Sequence, residues 1–277
     1  MKAKKVLQLL ILLLWLCNKS FSQPYNRIIS LSRVITQDIY LLGANDKLVG
    51  CTSYCDMALK DNKEMVATAI DVNIEKVMLL KPDLVITTTL TKQETIETLK
   101  KVGIKVIAFP VTKSYKDICD NFLQIADFTG KKQLAEQIIK KQEVRLDSLR
   151  STIPKNQKPK IFLEIGTKPI FTVIPNTFMN DYITFIGGIN IASDLTRGTI
   201  TRESVLLRNP DVIIIVTMGI LGEEEKSNWS ANNDLNATKN KKIFIIDSDK
   251  ACSPTPVTFI DVVDELIKLI YGSQVGN

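Results

Sequence analysis

One pattern occurs twice in this chain, and it limits the fold more than any other feature. Glu75-Lys-Val-Met-Leu-Leu-Lys-Pro-Asp-Leu-Val-Ile aligns without a gap on Glu203-Ser-Val-Leu-Leu-Arg-Asn-Pro-Asp-Val-Ile-Ile. In each copy a short helical stretch runs into Pro-Asp and then into a β-branched run of the kind buried on both faces of a parallel sheet. The neighbouring segments echo each other too. A helix pattern ending at Gly43 has a partner ending at Gly187-Gly188, and the strand Lys242–Asp247 corresponds to Lys105–Phe109. A duplicated strand–helix unit predicts two similar α/β lobes, and a cleft between lobes is a usual place for a ligand.

The pass along the chain agrees. Arg27–Leu31 reads as a strand, and Ser32 opens a helix running to Leu42 with Gly43 as its stop. Lys47–Cys51 returns as a strand, Ile74–Leu80 as a short helix and Leu84–Thr88 as a strand. Thr91-x-x-Glu94 has the form of a capping box, opening a helix that stops at Gly103, and Ile104–Phe109 follows as a strand. Short alternating strands and helices predict a largely parallel sheet. Then the pattern changes. Ser114–Phe128 is a helix closed by Gly130, and Lys131–Ile153 a longer one, with Leu134, Ile138, Leu146, Leu149 and Ile153 near helical period. At about 1.5 Å per residue the longer helix spans roughly 30 Å. Pro154–Pro159 breaks the chain, and alternation resumes at Lys160–Ile165.

Charge and composition decide what the chain is not. Its 277 residues contain no histidine. Ser-His and Cys-His nucleophile pairs and His-based metal sites are therefore excluded. Four lysines and no acid fall in residues 1–22, which leaves 32 basic against 30 acidic residues in the rest. That near-neutral balance argues against nucleic-acid binding. Lys2–Lys5, the apolar run Leu9–Leu16 and Ser20-Phe21-Ser22 make the three regions of a secretory signal. The apolar run is too short for a span of roughly 20 residues. Cleavage is expected after Ser22, leaving Gln23 first; lipid attachment at Cys17 is the rival, disfavoured by the bulky Leu16 before it.

Export places Cys51, Cys55, Cys119 and Cys252 in an oxidising compartment, where four cysteines allow three pairings. Cys51 and Cys55 are spaced C-x3-C, unlike thiol oxidoreductases or zinc knuckles. Cys119 lies in an apolar helical pattern and reads as a small buried hydrophobe.

Several segments together resemble the periplasmic solute-binding proteins of ABC importers, in the subfamily for cobalamin, haem and ferric siderophores. They are Arg27-Ile-Ile-Ser-Leu-Ser, Leu48-Val-Gly-Cys-Thr-Ser-Tyr-Cys-Asp56, Glu75 through Lys81-Pro-Asp-Leu-Val, Gly187-Gly-Ile-Asn-Ile-Ala, and Thr201-Arg-Glu-Ser-Val-Leu through Asn-Pro-Asp. The resemblance covers nearly all of the chain beyond the signal. It implies an α/β fold of two Rossmann-like lobes with largely parallel sheets, joined by one long bridging α-helix, with the ligand in the cleft between. The expected organisation is signal 1–22, first lobe 23–130, bridging helix 131–153 and second lobe 154–277.

The resemblance also implies the site. Tyr54 lines the cleft from the first lobe, Phe171 from the turn Gly166–Thr172 of the second, and Asp249 stands at the rim. Cys55 and Cys252 fall near the cleft, one from each lobe. They would be thiols in the pocket wall, thiolates touching the ligand's metal, or a redox clamp; the wall reading is preferred. Glu75 and Glu203, equivalent in the two repeats, would dock the loaded protein onto an ABC permease dimer in the inner membrane. The implied ligand is a metal-containing macrocycle or chelate, cobalamin first, with ferric siderophore and haem as alternatives. No covalent cofactor, resident metal or oligomer is expected.

Departures from the family pattern bear on the ligand. Ala69, Thr88 and Arg197 stand where cobalamin binders carry tryptophans; Arg33, which replaces a usual proline, reads instead as a tolerated change at a helix start. Other classes lack their residues. A zinc or manganese importer subunit would need histidine, and an enzyme would need a motif such as G-x-S-x-G, G-x4-GK[ST] or H-E-x-x-H, none of which occurs. A stand-alone scavenger or a signalling receptor on the same fold is the remaining alternative.

Overall fold

The computed structural model describes residues 24–68, 71–216 and 221–272. The expected secretion signal, Cys17 and Ala69 lie outside the described residues. In the first lobe, β1 (Ile28–Ser30), β2 (Leu48–Thr52), β3 (Glu64–Ala67), β4 (Leu84–Thr88) and β5 (Val106–Phe109) form one sheet in the order β3-β2-β1-β4-β5. All its pairings are parallel. Alternate side chains leave opposite faces. Ile28, Leu84 and Ile86 pack with Ile35, Ile39, Phe122 and Ile125 on one side. Ile29 and Val85 pack with Val77 and Leu99 on the other. The central strands β1 and β4 are therefore mostly apolar and buried, because both faces of the sheet are covered there.

The second lobe repeats the plan around β6 (Lys160–Thr167), β7 (Ile170–Thr172), β8 (Ile189–Asn190), β9 (Val212–Ile215) and β10 (Ile243–Ile245). β8, β6, β9 and β10 are parallel neighbours, and β7 returns antiparallel along β6. Gly188 enters β8 at a crowded point, since a Cβ there would press on the Ile161 side chain and lie 3.2 Å from the backbone oxygen of Ile183.

The repeated Pro-Asp acquires a physical reason. Asp83 donates its backbone N–H to Arg27 O at 3.0 Å and accepts from Arg27 N–H through Oδ1, also at 3.0 Å. Asp211 makes the same reciprocal pair with Lys160, at 2.8 and 2.9 Å. Each aspartate thus satisfies the start of its lobe's central strand, β1 or β6, where ladder bonds run out. Asn73 and Thr201 cap the preceding helices by accepting from Lys76 N–H and Ser204 N–H. Lys81 and Asn209, just before the prolines, both take φ of 45°. The equivalence extends to the backbone.

Two helices tie the lobes together. Tyr115–Thr129 is capped by Ser114, whose side chain accepts from Asp117 N–H, and ends at Gly130 with φ 74°. Lys132–Ser151 follows, within the expected Lys131–Ile153. Its Ala135 joins the first lobe's core, Leu146 joins the second's, and Ile139 touches both. Arg145 on this helix pairs with Asp261 and Asp264 of the last helix, Pro256–Tyr271. Tyr115, Ile118 and Cys119 also pack into the second lobe's core, so the helix before the bridge shares the joint.

The Thr91 capping box does not form. The helix starts at Gln93 with no side-chain cap, and the Thr91 hydroxyl bonds the Thr87 hydroxyl at 2.5 Å. Ser32 likewise sits at its N-cap without a side-chain bond.

Candidate functional site

The C-terminal ends of β1, β2, β4 and β5 open toward the segment after β10 in the second lobe. Ligands of open parallel sheets bind at that end of the strands. Two cavities lie here. One, about 390 Å³, is lined by Thr52, Tyr54 and Arg33 from the first lobe and by Asp249, Cys252 and Ser253 from the second. The other, about 280 Å³, shares Arg33, Cys252 and Ser253 and adds Asp38, Thr88, Phe109 and Phe178, with mostly apolar walls. The structure therefore brings Tyr54, Asp249 and Cys252 together from opposite lobes.

Tyr54 follows the end of β2 and is 54% exposed, its ring uncovered beside the cavity. Its backbone N–H bonds Thr52 Oγ1 at 3.3 Å, which holds the turn. Cys55 points inward instead. Its sulfur lies 3.1 Å from Thr36 Oγ1 and 3.2 Å from Thr52 Oγ1, and the residue is buried. A hydrogen bond from Cys51, with help from the two threonines, brings the Cys55 thiol down to about 6 against the opposing effect of burial. The same contact, with burial, pushes Cys51 upward. Cys55 is thus engaged by neighbours inside the lobe. All four described cysteines are free thiols, Cys51, Cys55 and Cys119 buried and Cys252 exposed. Among the described residues no group of three or more Cys, Asp or Glu could hold a metal ion.

Phe171 is half-exposed on β7, against Gly166. It is not among the residues lining the two cavities. Glu75 and Glu203 also lie off the cleft, each the second residue of its helix and exposed. Glu203 is held below the usual carboxylate range by its own backbone N–H and by Thr201.

Two residues belong to the cleft that the sequence did not place there. Arg33 spans the lobes, its guanidinium donating to Asp249 Oδ1 at 2.8 Å and Oδ2 at 3.1 Å. Asp38 is buried on the wall of the smaller cavity with Oδ1 unpartnered, and burial raises its pKa well above the ordinary value.

Fold and cleft together define the class of two-lobed binding proteins. The family described as periplasmic binding protein matches residues 28–250, and the chain belongs to it. The chain is 30% identical over 88% of its length to an uncharacterised ABC transporter substrate-binding lipoprotein of Bacillus subtilis, covering 80% of that protein. It is 28% identical to the vitamin B12-binding protein of Vibrio cholerae, over 91% of each chain. The crystal structure of the Vibrio cholerae periplasmic vitamin B12-binding protein superposes with a TM-score of 0.76, covering 91% of this chain and 98% of that one. A Staphylococcus epidermidis protein described as a possible iron-binding, periplasmic solute-binding protein superposes at 0.80, with 27% identity, covering 90% of this chain and all of the other.

Proposed function

We propose that the protein captures a cobalamin-like corrinoid in the cleft and hands it to an ABC permease dimer. The observation that carries this reading is the cavity formed by Tyr54 from one lobe with Asp249 and Cys252 from the other. A flat macrocycle offers an apolar face, and Tyr54 offers a rigid ring at low entropic cost. The 28% identity to a vitamin B12-binding protein supports the ligand class. Phe171 would meet the ligand only from the β7 hairpin, outside the two cavities.

The docking role falls to Glu75 and Glu203. Each is followed one helical turn later by a leucine turned to solvent, Leu79 at 79% and Leu207 at 87% exposure. A carboxylate beside an apolar residue, repeated on both lobes, suits a partner that presents a pair of equivalent basic sites. Residues 1–22 direct export; the chain after Ser22 works in the periplasm, without lipid on Cys17. Mass spectrometry of the native protein should then find Gln23 at the N-terminus; a diacylglyceryl group on Cys17 would replace the soluble form by a membrane-anchored one.

The test of the ligand is a parallel titration with cyanocobalamin, hemin and ferric siderophores, followed by visible absorbance and by melting temperature. Binding raises the melting temperature as RT ln(1 + [L]/Kd). A shift with cyanocobalamin supports the reading, and a shift with a ferric chelate alone replaces it. The cation Arg33 in the cleft is the observation that favours such a chelate as the second reading.

A further inference from the structure

Arg33 stands where the two cavities meet. It lines both, and also a small recess of about 30 Å³ behind Tyr54 and Cys55. Among the described residues lining these spaces it is the only Lys or Arg. Two acids compete for it. Asp249 takes both arms of the guanidinium, and Asp56 lies 3.8 Å away. The Arg33 side chain is largely sheltered, at 28% exposure, whereas the Asp249 side chain is 61% exposed.

Resting on the cleft as the ligand site, we propose that Arg33 is the receptor for a carboxylate on the rim of the ligand, and that Asp249 occupies that receptor while the cleft is empty. The fork of a guanidinium accepts one planar carboxylate side-on. A ligand carboxylate arriving there can replace Asp249 one for one, so Arg33 keeps both its hydrogen bonds and its counter-charge. The released Asp249 returns to water, which an exposed carboxylate does at small cost because exposed ion pairs contribute little. A ligand whose rim carries only amides offers no such exchange. It leaves the pair standing in the cleft or breaks it without replacing the charge, and a sheltered charge left unpaired is unfavourable. The lone cation thus selects for macrocycles bearing at least one free carboxylate. A corrinoid with a hydrolysed side-chain amide and a porphyrin with propionates share this chemistry.

The proposal assigns opposite roles to the two partners, which a merely structural ion pair would not have. The probes are matched pairs: cyanocobalamin against each of its monocarboxylic acids, and hemin against its dimethyl ester. Titration of the whole secreted protein by visible absorbance at fixed salt should show at least one acid bound about tenfold tighter than its neutral counterpart. Arg33→Gln should abolish that preference, and Arg33→Lys should restore only part of it, since a point charge lacks the fork. Asp249→Asn should instead increase the preference several-fold by removing the competing carboxylate. Melting temperatures of the ligand-free variants show that each is folded. Equal binding within both pairs, a preference that survives Arg33→Gln, or a loss in Asp249→Asn matching that in Arg33→Gln would each overturn the role of Arg33 while leaving the cleft as the site. Failure to bind any of the probes would overturn the macrocycle reading together with this one.

Discussion

Truncating Tyr54 isolates what one ring contributes to capture. A tyrosine buries roughly 150–250 Å² when fully covered, and Tyr54 keeps 54% of its surface exposed. About 100 Å² is therefore available for a ligand to cover. At about 25 cal/mol per Å² this amounts to about 2.5 kcal/mol if the whole face is used. Partial coverage lowers the figure, so Tyr54→Ala should weaken cyanocobalamin binding by about 1–3 kcal/mol, roughly 5- to 150-fold in Kd. Tyr54→Phe, which keeps the ring, should stay within about threefold. Isothermal titration of parent and variants at one salt concentration reads this directly. The ligand-free melting temperature should hardly move, because the ring has little packing to lose. An alanine variant with the parent's Kd would refute the argument and place the ligand elsewhere.

Three further outcomes are expected. Glu164 is fully buried on β6, where burial, with a smaller contribution from Glu225, pushes its pKa up to about 8 against the hydrogen bond from Trp229 and the charge of Arg202. A raised acid binds its proton more tightly when folded, so its stabilisation is complete below about pH 4.5 and is lost as pH rises toward 8, at up to about 1.4 kcal/mol per pH unit. The melting temperature of the parent, relative to Glu164→Gln, should fall by a few degrees per pH unit across that window; a constant difference would show that Glu164 is already ionised. Glu75→Ala combined with Glu203→Ala should leave ligand affinity intact and reduce transport, with a deficit relative to the parent that shrinks as salt rises and screens the parent's own charge pairs; a double variant that transports like the parent would return both acids to simple helix-dipole partners. Cys252 should react with maleimide before the buried Cys51, Cys55 and Cys119, and bound ligand should slow it; equal labelling with and without ligand would remove Cys252 from the site.

The architecture was legible because it is written in short-range patterns. Apolar β-branched runs, helical periods and glycine stops each act within a few residues, and the repeated Glu-to-Asp unit announced the duplication. Strand ends shifted by only one or two residues. Even the Pro-Asp pair could be recognised, although its reason, an aspartate that satisfies the first residue of a neighbouring strand, needs the sheet to be assembled. The same limits explain the failures. The Thr91 hydroxyl had a helix N-terminus within reach in sequence, but the fold brought Thr87 closer. Which neighbours the Cys55 sulfur meets was decided by where Thr36 lies on the preceding helix, although the residue still lines the recess behind Tyr54. Arg33 was an ordinary departure at a helix start until folding set it against Asp249, 216 residues away. Local chemistry specifies which elements form and which faces they bury. Which charged groups meet across a cleft depends on how the two lobes are set by the helices between them, and no local pattern encodes that distance.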